Sequence, residues 1–223
     1  MANKEDEKDK ETMDVVQRLE GKLDDVIVYR DYISISQFRD ELQNIDKEIS
    51  NVISSSPDPS LYLLLFKVRS ETGDLQGARR CLEEAVPQYG NDPEIRHTLG
   101  RILIDLGNPV QACHHLGVAG RIYMETEGLP RREVFMDLGV SYMMSGDIGR
   151  AVRCFRACLK IDEDVLVHEM CYRAYLQEGN ARNALRHALR IYTLIEGEEK
   201  EGWVSKIRII KTNLALDSQT SGI

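Results

Sequence analysis

The sequence predicts an all-α protein, a solenoid of stacked antiparallel helix pairs, and three observations predict it. Apolar residues recur at helical spacing through most of the 223 residues, as in Phe135, Leu138, Gly139 and Tyr142 at i, i+3, i+4 and i+7. A turn signal recurs as Gly73-Asp74, Gly107-Asn108, Gly146-Asp147 and Gly179-Asn180. Five residues after each glycine stands an alanine, Ala78, Ala112, Ala151 and Ala184, at spacings of 34, 39 and 33. A fixed period of this length is the mark of a repeat architecture, in which each unit buries its apolar face against the next.

The stretch from Phe135 to Asp162 shows one unit whole. Gly146 can take the left-handed conformation that ends a helix, and Asp147 can cap the next one by accepting backbone N–H bonds. Ala151, Phe155 and Cys158 then form one face of a second helix, with a small residue at the closest approach. Helices joined this tightly pack antiparallel.

Written as a pattern, the segment is F-x2-LG-x2-Y-x8-A-x3-F. It resembles a tetratricopeptide repeat, whose signature sets an aromatic, Leu-Gly, Tyr and Ala-x3-Phe on a 34-residue period. The resemblance implies a right-handed solenoid with four repeats, at 59–92, 93–131, 132–164 and 165–197. The second has an extended second helix, running through Ile122, Tyr123 and Met124 before the turn at 127–130. Phe66 replaces the small residue in the first repeat and predicts a wider or tilted pair there. In the fourth, His168 and Tyr172 stand at the first two landmark positions.

The flanks read as caps. Val15, Val16, Leu19, Leu23, Val26 and Ile27, then Phe38, Leu42, Ile45 and Ile49, predict an N-terminal hairpin over 11–58, a degenerate repeat or cap. Residues 198–217, with Trp203, Ile207, Ile210 and Leu214, predict a capping helix. Charged residues 1–10 and the tail 218–223 are expected to be disordered.

Composition narrows the function. The charge is -8, with 8 basic against 15 acidic residues in 1–58 and 17 against 17 in 59–195. The basic footprint of a nucleic-acid binder is absent, so no nucleic-acid partner is expected. The arginines at 150, 153 and 156, and at 182, 186 and 190, read as a solvated outer face. No apolar run reaches bilayer length, and 1–14 lacks a signal-peptide core, which predicts a cytoplasmic protein without membrane insertion. Five unpatterned cysteines fit reduced thiols.

No phosphate loop, HExxH or nucleophile elbow occurs, so no catalytic residue, cofactor or metal is expected. Cys113-His114-His115 and the i, i+4 pair Cys154 and Cys158 are the nearest approach to a ligand set. Adjacent histidines point apart on a helix, and cysteines at repeat core positions pack as hydrophobes.

What remains is protein binding. The resemblance implies a concave groove lined by first helices, here Leu63, Lys67, His97, Arg101, Ile104, Met136, Val140, Met143, Glu169, Arg173 and Leu176. Co-chaperones of the family grip a chaperone's terminal carboxylate with a lysine and asparagines at set positions. Those positions are Leu63, Lys67 and Thr98 here, so that clamp is not assembled. An apolar floor of Met136, Val140 and Met143 with Arg101 and Arg173 beside it suits an amphipathic segment with acidic flanks. The expected role is a non-catalytic adaptor or chaperone. The alternatives are a self-assembling structural protein or a chaperone for export substrates.

Overall fold

A computed structural model describes the backbone of residues 2–220 and the side chains of residues 10–216. Eleven α-helices and no strand are found among the described residues. The fold class is the all-α helix-pair solenoid, and the chain divides into two compact units, residues 1–106 and 107–223.

The first unit holds α1 (Ala2–Val28), a short 3-10 turn (Arg30–Tyr32), α2 (Ile35–Ser55), α3 (Pro59–Glu71), α4 (Leu75–Tyr89) and α5 (Pro93–Asp105). Helix α1 buries Val16, Leu19 and Leu23, and α2 buries Phe38, Leu42, Ile45 and Ile49. Both sets follow the helical period, so each helix turns one apolar stripe inward and neither is stable alone. Ser34 starts α2 with a capping box: its Oγ accepts from Gln37 N at 3.2 Å and its N–H donates to Gln37 Oε1 at 3.1 Å. Arg69 of α3 donates from Nε to Asp46 of α2 at 2.8 Å and from Nη1 to Gly77 O of α4 at 3.1 Å. One guanidinium thus ties three helices together in a partly buried setting, where a charged hydrogen bond counts for more than at the surface.

The second unit holds α6 (Pro109–Glu127), α7 (Arg132–Met144), α8 (Ile148–Ile161), α9 (Val165–Gln177), α10 (Ala181–Leu194) and α11 (Glu199–Thr220). Its core runs through Ala151, Phe155, Cys158, Val167, Cys171 and Ala174, then through Ala188, Ile191, Trp203 and Ile207. Half-buried Arg132 and Asp164 form an ion pair between the starts of α7 and α9.

The turns explain why the pairs close. Gly73, Gly107, Gly146 and Gly179 have φ of +78°, +71°, +83° and +75°, a conformation that costs other L-residues about 1–2 kcal/mol. Asp74, Asp147 and Asn180 then accept from the backbone N–H of Gly77, Arg150 and Asn183 at 2.8, 3.0 and 3.3 Å. The fourth turn starts α6 with Pro109 in its first turn, where a missing N–H leaves nothing unpaired.

Helix α1 begins at Ala2, so the charged segment 1–10 is continuous with a helix from residue 2 onward. At the other end α11 reaches Thr220, and residues 221–223 of the expected tail lie outside the described residues.

Candidate interaction surface

Each expected groove residue sits on a first helix, and within each stripe the spacing is i, i+4, i+7. In the first unit, α3 carries Leu63 and Lys67 and α5 carries His97, Arg101 and Ile104; α3 packs against both α1 and α5. Leu63, His97 and Ile104 are half-buried, and Lys67 and Arg101 are exposed. Lys67 Nζ lies 3.7 Å from Glu20 of α1, so its charge already faces a carboxylate.

In the second unit, Met136, Val140 and Met143 lie half-buried on α7, resting on the cluster around Phe155 and Val167. Helix α9 packs beside α7 and carries Glu169, Arg173 and Leu176. Gln177 Nε2 donates to Met143 O at 3.4 Å and joins the ends of the two helices. The result is an apolar strip with Leu176, 43% exposed, at its edge. Arg173 is occupied: its Nη2 donates to Glu169 at 2.7 Å across one helical turn. Both side chains keep solvent contact, and such a pair is worth about 0.3–0.5 kcal/mol, little enough for a partner's carboxylate to displace Glu169.

The model of the family described as "Tetratricopeptide repeat" matches residues 133–165, which span α7, α8 and the turn between them. A thermophilic TPR protein of Thermus thermophilus, TTC0263, superposes with a TM-score of 0.54 over 87% of this chain and 99% of its own, at 13% identity. Residues 133–165 of this chain thus match a tetratricopeptide repeat. A crystal structure of MamA gives a TM-score of 0.61 at 17% identity, covering 78% of this chain and 99% of that one. MamA of Desulfovibrio magneticus gives 0.61 at 13% identity, over 76% and 94% of the two chains. At these identities the likeness carries the fold alone. No curated protein matches the sequence.

The ligand-type residues of the chain are dispersed. Cys81, Cys154 and Cys171 are buried, which pushes their thiols up to about 12, and buried Cys158 rises to about 11. His114 and His115 meet edge to face, their ring centres 5.1 Å apart. Among the described residues no group of three or more His, Cys, Asp or Glu side chains could hold a metal.

Sequence reasoning missed a polar cluster in the fourth repeat. His168 of α9 and His187 of α10 meet Nδ1 to Nδ1 at 2.9 Å, and His168 Nε2 lies 3.2 Å from Glu163. Glu163 also accepts two bonds from Arg190, and Tyr175 stacks on His187. Burial and the facing charges of His168, Arg186 and Arg156 hold His187 down at about 4. Arg190 and His168 hold Glu163 at about 2. Only His168 at an aromatic position signalled it; the 19-residue separation from His187 is closed by the hairpin.

Proposed function

We propose that this protein is a non-catalytic interaction module, an adaptor or chaperone in the cytosol that holds a peptide or helix of a partner protein on its first helices. The observation that carries the reading is the strip of Met136, Val140 and Met143 on α7 beside Leu176 on α9. Flexible methionines on a rigid helix pair adapt to apolar anchors, and Arg173 offers a charge-assisted bond to an acidic flank. The stripe of Leu63, Lys67, His97, Arg101 and Ile104 on the first unit is proposed to contact the same kind of segment. A quantitative pull-down from extract of the source cell, comparing the intact protein with a Val140→Asp, Leu176→Glu variant of equal helicity, tests the reading. Retention of one partner by the intact protein and its loss by the variant is expected; equal retention overturns it.

Self-assembly is a second reading, favoured by the tip of the first hairpin. There Val28, Tyr29, Tyr32 and Ile35 are 69, 58, 83 and 73% exposed. Large apolar residues gathered in this way mark contact surfaces rather than ordinary solvent-facing positions. Mass measured over a concentration series separates the readings: a rising mass, abolished by Tyr32→Lys, favours assembly.

A further inference from the structure

We propose that the cleft between α10 and α11 is a second docking surface and that it takes an acidic amphipathic helix of a partner protein. Helices α7 and α9 each have the second helix of their own pair against them, α8 and α10. Helix α11 stacks on α10 as a further first helix, with Trp203 and Ile207 joining Ala188 and Ile191 in the core. Val204, Arg208 and Lys211 of α11 are exposed.

This side of α11 and the neighbouring face of α10 form an open cleft of about 390 Å³ lined by Leu189, Tyr192, Val204, Ile207, Arg208 and Lys211, with Thr212 at its edge. Leu189, Tyr192 and Val204 are 40, 36 and 38% exposed, recessed between two helices, and Ile207 is the floor. Apolar walls a helix-pair apart fit the ridge of a third helix, whose anchors recur at i, i+3 or i+4, and i+7. A flat membrane surface would instead require protruding apolar residues.

Charge identifies the occupant's chemistry. Helix α10 and residues 202–216 of α11 hold six basic residues and no acidic one, in a chain of net charge -8. Arg208 and Lys211 stand on the cleft itself, and Lys200 Nζ lies 5.2 Å from the centre of the Tyr192 ring. Arg190 is engaged by Glu163 and Lys206 lies over Trp203, whereas Arg208 and Lys211 are exposed at the cleft. Of the acidic residues of the region, Glu196, Glu198, Glu199 and Glu201 fall in the connection and the first turn of α11, and Asp217 falls near the other end of that helix. A helix with an apolar stripe flanked by glutamates complements both features.

The test uses the full chain and a fluorescein-labelled amphipathic peptide with leucines at i, i+3 and i+7 and glutamates on its flanks, followed by anisotropy. The expected result is saturable binding, weakened about tenfold or more by Leu189→Asp and, separately, by the double change Arg208→Glu, Lys211→Glu. Leu189, Arg208 and Lys211 are solvent-exposed, so these variants keep their helicity. Binding is expected to survive Val140→Asp, Leu176→Glu, which keeps this surface distinct from the one on α7 and α9. The proposal is overturned by no saturable binding, by equal binding of a peptide with lysines in place of the glutamates, or by loss only in the Val140, Leu176 variant. It is equally overturned if the cleft variants abolish retention on anionic vesicles or a concentration-dependent rise in mass while leaving peptide binding unchanged.

Discussion

Gly139 and Phe155 share one space: a Cβ on Gly139 would lie 2.5 Å from Cε1 of Phe155, whose side chain is fully buried. The same two positions hold Tyr172 with Ala188 in the fourth pair. Bulk on one helix is matched by its loss on the other. Gly139→Ala is therefore expected to overpack the third pair by about 1–3 kcal/mol, partly offset by about 1 kcal/mol of helix propensity. Thermal unfolding should show a lowered Tm, and Phe155→Leu should relieve the defect. A double-mutant cycle with strictly additive effects would contradict the packing account.

Acid should weaken the fourth repeat in a defined window. Folded His187 is held at about 4, below its ordinary 6.5, so the unfolded chain takes the proton first. Its contribution to stability is fully present above pH 6.5 and is lost as pH falls toward about 4. Glu163, held at about 2 against an ordinary 4.5, contributes above pH 4.5 and loses that contribution as pH falls toward about 2. Denaturant unfolding followed by circular dichroism should show stability falling between pH 6.5 and 4.5. His187→Phe, which can keep the stack on Tyr175, should flatten this part of the profile; an unchanged slope would contradict the assignment.

Thiol labelling should be uneven. Cys81, Cys154, Cys158 and Cys171 are buried with raised thiol pKa values, whereas Cys113 is only half-buried. Since the thiolate is the reactive form, iodoacetamide at pH 8 should label Cys113 first and the other four only on unfolding. Mass spectrometry of timed samples checks the order, and early labelling at Cys154 or Cys158 would contradict the burial of α8.

The helix pairs were legible because their instructions are local. Gly146-Asp147 encodes both the positive φ that ends α7 and the cap that begins α8, within two residues. The helical start at Ala2 was less legible, since a charged, apolar-poor segment satisfies the compositional signature of disorder. At the candidate surface the i, i+4, i+7 stripes could be read off. The neutralisation of Lys67 by Glu20 could not, because it depends on how α1 lies against α3. The His168–His187 contact and the cleft between α10 and α11 are likewise products of packing between helices, which no single stretch of sequence records.

Partner protein is expected to lie on the first helices of the second unit. Site-specific photo-cross-linking tests it most directly, with a photoreactive phenylalanine derivative placed at Leu176 on α9 or, in a separate preparation, at Arg153 on the exposed side of α8. The account predicts a partner adduct from position 176 and none from position 153. Adducts from 153 alone would place the partner on the opposite helices and contradict it.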